Sequence, residues 1–198
     1  MQSITPTVHQ APQTAYVSFS AEINVNTTET LIAAMAQLVN QKIRDVHLLL
    51  STPGGNVMNG MNLYNVLRGL PIHLTTHNVG NVDSIGSAIF LAGEKRYASQ
   101  HSTFMFHGVS FQGQGSFSFD QKTLLERIGS VNADQKRIGD IIKSRTSLDE
   151  QAIAGLFLDA QTKDAGFALA CGFIHEIREV QIPAGAPVVP LVFDRKTG

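Results

Sequence analysis

The sequence predicts an α/β fold, and two observations carry that expectation. The short, nearly continuous apolar run Asp45–Leu50, the pattern of a strand covered on both faces, and the further strand Ile72–Asn78 each pass through a small-residue turn into a helical stretch. The order strand, turn, helix then recurs along the chain, which calls for crossover connections. At 198 residues, one substantial core is expected rather than two.

Residues 1–14 are polar in their first part, carry Pro6 and Pro12 and show neither period, so they form an irregular lead-in to a domain spanning 15–180. Ala15–Ile23 reads as the first strand. Thr28–Lys42 places Leu31, Met35, Leu38 and Val39 on one helical stripe, with Asn26 or Thr27 as its cap. The strand Asp45–Leu50 meets Ser51-Thr52-Pro53-Gly54-Gly55, whose glycines accept backbone angles closed to other residues and leave their amides uncovered. A helix over Val57–Arg68 and the strand Ile72–Asn78 follow. The turn up to Ser84 then opens the apolar helix Ile85–Leu91.

Lys95–Ala98 and Thr103–Val109 are two further short strands. Ser110–Phe119, rich in Gly, Gln, Ser and Phe, is either a loop or an exposed hairpin. Asp120–Lys143 alternates Leu124, Leu125, Ile128, Val131, Ile138, Ile141 and Ile142 with charged residues, a long amphipathic helix. About 24 residues at 1.5 Å each reach ~36 Å, the width of a small domain, so the helix is expected to project. Helices near Ser147–Phe157 and Lys163–Cys171, a strand Phe173–Arg178 and an extended tail over 181–198 complete the reading.

Composition excludes several function classes. A formal net charge of −1 and the absence of a Lys/Arg cluster argue against nucleic acid or anionic lipid as partner. No apolar stretch approaches the ~18 residues of a membrane span. The seven histidines form neither an HExxH pattern nor a Cys/His ligand set, so no metal and no other cofactor is expected. The lone Cys171 allows no internal disulfide. With no secretory pattern at the start, a reducing cytoplasm is the expected compartment. Cys171 lies in the apolar run Phe167–Ile174 and is expected to be a small buried residue rather than a nucleophile.

Ser84 stands where a strand turns into a helix, a place that exposes a hydroxyl beside helix N-terminal amides suited to an oxyanion. Its context, Asp83-Ser84-Ile85-Gly86, is not the GxSxG elbow, and an N-capping serine is the plainer alternative. Gly54-Gly55 closes the preceding unit with free amides, and His107 ends a later strand. Since strand ends in α/β sheets converge on one crevice, Ser84, the Gly54–Gly55 amides and His107 are candidates to meet there.

Five segments, Leu48–Val57 (LLLSTPGGNV), Gly60–Val66 (GMNLYNV), Gly80–Ala88 (GNVDSIGSA), Leu91–Ala98 (LAGEKRYA) and Phe104–Gly108 (FMFHG), together resemble the Clp protease proteolytic subunit family of the ClpP/crotonase-like fold, in the family's order. The likeness covers about residues 15–178. It implies repeated β-β-α units and a projecting handle helix, about 120–145, through which rings of a homo-oligomer stack. It further implies a serine endopeptidase acting on peptides or unfolded proteins, with Ser84 as nucleophile, His107 as base and the Gly55 and Ile85 amides as oxyanion hole. Aligning back from Gly172 puts Ala160 at the family's acid position. Asp159 fits with a one-residue shift and is taken as the third catalytic residue, and Asp164 is the other acid nearby. Asp83 replaces a small neutral residue, and residues 1–14 differ from the family's axial loop, which leaves docking of an ATPase unfoldase open. Two other readings remain: a catalytically silent scaffold or regulatory subunit, and an acyl-CoA-processing crotonase-type enzyme, against which the Ser84/His107 pair counts.

Overall fold

The computed structural model describes residues 14–110 and 120–193. Along the chain it runs β1 (Thr14–Ser20), α1 (Val25–Asn40), β2 (Asp45–Thr52), α2 (Val57–Gly69), β3 (His73–Asp83), α3 (Gly86–Phe90), β4 (Lys95–Ala98) and β5 (Thr103–Met105). Then follow α4 (Gln121–Arg145), α5 (Glu150–Asp159), β6 (Thr162–Asp164), α6 (Ala165–Ala170), β7 (Glu176–Ile177) and β8 (Val188–Pro190). The eight strands form one sheet in the order β6-β5-β3-β2-β1-β8, with β4 beside β3 and β7 beside β4. All pairings are parallel except β5 with β6, so the expected α/β class with crossover helices is what the chain adopts.

The core is built from alternate strand positions. Ala15, Val17 and Phe19 of β1, Val46, Leu48 and Leu50 of β2 and Leu74 of β3 are buried, together with Leu31, Met35 and Leu38 of α1. This is the period-2 face of the sheet under the period-3.6 stripe of a helix. Asn24, not Asn26 or Thr27, caps α1: its side chain accepts from the Thr27 amide while Thr27 Oγ1 accepts from the Asn24 amide. Thr27 is the far half of that capping box.

The expected strand Ile72–Asn78 continues to Asp83, because β3 changes partner midway. Thr75–Asn78 pairs with β4 and Asn81–Asp83 with β5. The polar second half has no apolar pattern to announce it, and its partner supplies the pairing. Conversely, Thr103–Val109 is strand only to Met105, and Phe173–Arg178 only at Glu176–Ile177. Two strands carried no signal in the sequence. β6 precedes α6 and pairs with β5, and β8 in the tail adds to the outer side of β1. With Pro190 at its end, β8 tolerates an edge position. The stretch 111–119, read above as loop or hairpin, lies outside the described residues, as do residues 1–13.

α4 runs 25 residues. Among the described residues of its first half, 121–130, none is buried, whereas Ile138, Ile141 and Ile142 in the second half are. The helix therefore anchors by one end and projects by the other. What anchors it is Arg96 of β4, only 4% exposed. Its guanidinium donates to the carbonyls of Phe173 (2.8 Å), Gly93 (3.3 Å), Arg145 (3.1 Å) and Gly172 (3.0 Å). These lie at or just past the ends of α3, α4 and α6, where the helix dipoles are negative. Burial, and then the neighbouring Arg145, lower its pKa to about 10, so it stays charged at neutral pH. Arg145 adds bonds to the carbonyls of Leu91 (3.2 Å) and Gly93 (2.7 Å).

Arg96→Ala leaves four carbonyls without this donor in a buried site and is expected to lower unfolding free energy by about 3 kcal/mol or more. Arg96→Lys, with three donors on one point, recovers only part of it. Urea denaturation of the three proteins reads the difference.

Candidate active site

The first parallel unit prepares a turn. Thr52, fully buried at the end of β2, accepts the Gly54 amide on Oγ1 at 3.1 Å. Gly54 (φ 86°) and Gly55 (φ 144°) both take backbone angles that favour glycine. A side chain on Gly54 would stand 2.7 Å from the Ser84 Cβ, and one on Gly55 only 2.3 Å from the Ile23 carbonyl oxygen. Ile23 clamps the turn from outside, donating to the Gly54 carbonyl (2.7 Å) and accepting from the Asn56 amide (2.8 Å). This bridge uses the residues on either side and leaves the Gly55 amide out of the pairing.

Ser84 follows β3 with φ 56°, a left-handed conformation uncommon for a residue with a Cβ. Its amide is held by the Met105 carbonyl at 2.8 Å, and its own carbonyl accepts from Ser87. Ile85, not Ser84, occupies the cap position of α3, with no side-chain cap bond. The capping alternative is thereby set aside: the sharp bend exposes the hydroxyl instead of spending it on the helix. The Ile85 amide lies in the uncapped first turn of α3.

His107 lies just past β5. Ser84, His107 and Gly55 line one cavity of about 50 Å³, with Val57, Ser87, Phe106, Val109, Ser110, Ile138 and Phe157 as its walls. The cavity opens to a groove of about 560 Å³ whose polar wall includes Glu22, Arg127 and Asp134. Ser84 and His107 share this cavity without a hydrogen bond between them. His107 Nδ1 pairs with the Gly108 carbonyl at 2.7 Å. A carbonyl only accepts, so Nδ1 carries the proton and Nε2 presents a lone pair.

The structure does not bring Asp159 to the imidazole. It is exposed at the end of α5, and no hydrogen bond joins it to His107. Its segment nonetheless runs alongside, since Gly108 donates to the Phe157 carbonyl (2.9 Å) and Phe106 to that of Gln161 (3.4 Å). Ala160 adopts φ 49° as the end of α5. Asp164 is a helix cap, its Oδ1 accepting the Phe167 amide at 2.8 Å. Asp83 binds Asn81 Nδ2 (2.6 Å), and Asn81 accepts from Ser51 (3.0 Å). The carboxylate thus braces the β2–β3 end and is absent from the lining of both the cavity and the groove. Cys171 is 7% exposed and burial pushes its thiol pKa up, as expected of a structural cysteine.

Thr52, Ile23 and Met105, which shape the turn and the elbow, were not singled out from the sequence. Nor were Ile138 and Phe157, which wall the cavity from distant helices. Thr52 carried a local signal, a hydroxyl two residues before Gly54, whereas the others depend on tertiary contacts.

A scan against family models matches Clp protease over residues 2–181. The chain belongs to the Clp protease family. Curated relatives agree. The ATP-dependent Clp protease proteolytic subunit 2 of Thermobifida fusca is 34% identical over 140 residues, covering 68% of this chain and 65% of that protein. The protein of the same description from Chlamydia trachomatis serovar D is 31% identical over 97 residues, 48% of each chain. The chain thus spans somewhat under two thirds of one relative and about half of the other. The mixed α/β sheet with its projecting α4 is consistent with the family's fold. Among the described residues no helix is long and apolar enough to cross a membrane, and no group of three His, Cys, Asp or Glu side chains is placed to hold a metal ion.

Gly55→Ala is expected to lower stability by about 1–3 kcal/mol, since the added methyl meets backbone rather than a movable side chain. A lower urea midpoint at unchanged slope is the expected reading.

Proposed function

We propose that the chain is a serine endopeptidase cutting peptides or unfolded proteins through an acyl-enzyme on Ser84. The observation that carries this is the shared cavity: a strained, uncapped serine, a histidine with Nε2 free to accept a proton, and an unpaired glycine amide on one small wall. In this reading Ser84 Oγ attacks the peptide carbonyl carbon as Nε2 of His107 takes its proton. The carbonyl oxygen, now negative, receives the Gly55 and Ile85 amides, and each such donor is worth about 3 kcal/mol of barrier. Collapse breaks the C–N bond, and His107 returns the proton to the leaving amine. Water, deprotonated by the same Nε2, then cleaves the Ser84 ester.

Asp159 is proposed as the acid that orients His107, in which role its carboxylate has to replace the Gly108 carbonyl at Nδ1. The apolar cavity walls support a small apolar side chain ahead of the cut bond. Leu124, Leu125 and Ile128, exposed by 46–60% on the projecting half of α4, support self-association through that helix. Stacked rings and a cytoplasmic setting fit the family and the lone buried cysteine. The exposed Asp159 is the one feature favouring a silent scaffold.

A fluorophosphonate probe should form an adduct on Ser84 that is absent in Ser84→Ala and forms at least about 100-fold more slowly in His107→Ala. A folded oligomer that takes no probe would favour the scaffold. With the carboxylate taking over Nδ1 during turnover, Asp159→Asn is expected to cost up to about 10⁴-fold in kcat/KM. A loss of only about tenfold or less would mean that the Gly108 carbonyl keeps Nδ1 and that Asp159 does not orient the base. Fluorogenic peptides with Ala or Val before the cut bond should exceed those with Glu or Trp by about tenfold or more.

A further inference from the structure

On the sheet face opposite the buried Val46, Leu48 and Leu50, four rings form a row across four strands. Tyr16 of β1 stacks on His47 of β2 (4.6 Å between centroids), His47 on His77 of β3 (5.1 Å), and His77 lies 5.3 Å from Tyr97 of β4. His47 Nδ1 and His77 Nε2 are 2.8 Å apart, so one proton lies between two neutral rings. His77 is 3% exposed and its Nδ1 has no hydrogen-bond partner. If His77 donates to His47, only a lone pair is left unsatisfied there. The opposite tautomer would bury an unpaired N–H, which costs more.

The chain after β7 passes over this row. Between β7 and β8 lie five strand spacings, about 24 Å at ~4.8 Å each, and the chain covers them between Ile177 and Val188. Arg178 sets its guanidinium 4.5 Å from the Tyr97 ring, and its amide bonds Ala98. Tyr16 Oη donates to the Gln181 carbonyl (3.4 Å) and the Tyr16 amide to that of Pro187 (2.9 Å) before β8 pairs with β1. The strap is thus held at both ends by the two tyrosines that flank the histidine pair.

We propose that the His47–His77 pair is a proton-operated latch, whose protonation releases the strap 178–190 and opens the sheet face and the outer edge of β1. One added proton puts a cation between rings that Arg178 already faces. A second turns both facing nitrogens into donors and breaks their bond. The charged groups around the pair are Lys95 of β4 and Arg178 of the strap, both opposing a further positive charge, and Asp45 of β2, favouring it. Glu176 lies 3.6 Å from Arg178, and Glu179 accepts the Gln100 amide. Burial first, then His47 and Arg178, lower the His77 pKa from the ordinary 6.5 to about 4. His47 is lowered too, chiefly by burial. The released state binds protons more readily than the closed one, so closure is fully stable above pH 6.5 and is lost as pH falls towards 4.

Hydrogen exchange by mass spectrometry on the full chain at pH 7.5 and 5.0, corrected for intrinsic rates, tests this. Protection in peptides covering 182–193 and at Tyr16 should fall at least about tenfold at pH 5.0, while peptides from α4 and the core of β2 keep theirs. In His47→Phe/His77→Phe, which keeps the ring row, and in Arg178→Gln, which leaves the buried pair intact, this pH dependence should disappear or shrink. Equal strap protection at both pH values, loss of protection throughout the chain, or an undiminished pH effect in Arg178→Gln would overturn the latch. The last comparison stands even if the double variant does not fold.

Discussion

A single buried cation, Arg96, holds the helical layer to the sheet. Its guanidinium reaches carbonyls at the ends of three helices, and it is these dipoles, with no carboxylate among the described residues, that balance its charge. A planar group with five N–H donors suits this convergence where an ammonium would not. The consequence reaches the candidate site. α3 begins two residues after Ser84 and ends three residues before Gly93, and α4 supplies Ile138 to the cavity wall and finishes at Arg145. Fixing both helix ends on one side chain sets the distance between the serine elbow and the wall opposite.

The elbow rests on a second constraint, the close approach of two backbones. Gly54 lies against Ser84 and Gly55 against Ile23, so neither has room for a side chain. Thr52, Ile23 and Met105 take the hydrogen bonds that define the turn and the bend. What remains unpaired, the Gly55 amide and the serine hydroxyl, is what the proposed reaction uses. The strain at Ser84 is tolerated because the parallel pairing of β3 with β5 fixes residues up to Asp83 and the Met105 carbonyl fixes the next amide.

Much of the architecture was legible in the sequence. β1, β2, α1, α2 and the long α4 follow from apolar periodicity, because their side chains must face one core. The Gly54–Gly55 turn was legible because few other residues tolerate its backbone angles, and Ser84 because it stands where a strand turns into a helix. Other elements escaped local reading. β6 and β8 are three residues each and exist only through their partners β5 and β1. The second half of β3 is polar and takes its extended form from β5. Asn24 was passed over as cap of α1 because Asn26 and Thr27 are equally good capping types, and only the chain's entry angle selects among them.

By itself, then, the sequence determined the α/β class, the order of the main elements and the residue types gathered near Ser84, since these rest on period, turn chemistry and motif. Tertiary structure alone decided which groups meet. It put His107 Nδ1 on a backbone carbonyl and left Asp159 in solvent, it sent Asp83 into a brace beside Asn81, and it stacked His47 on His77 beneath the tail. The reason is that one-dimensional patterns encode which side of an element is apolar. The partner of a single polar atom depends instead on the register and approach of segments far apart in the chain.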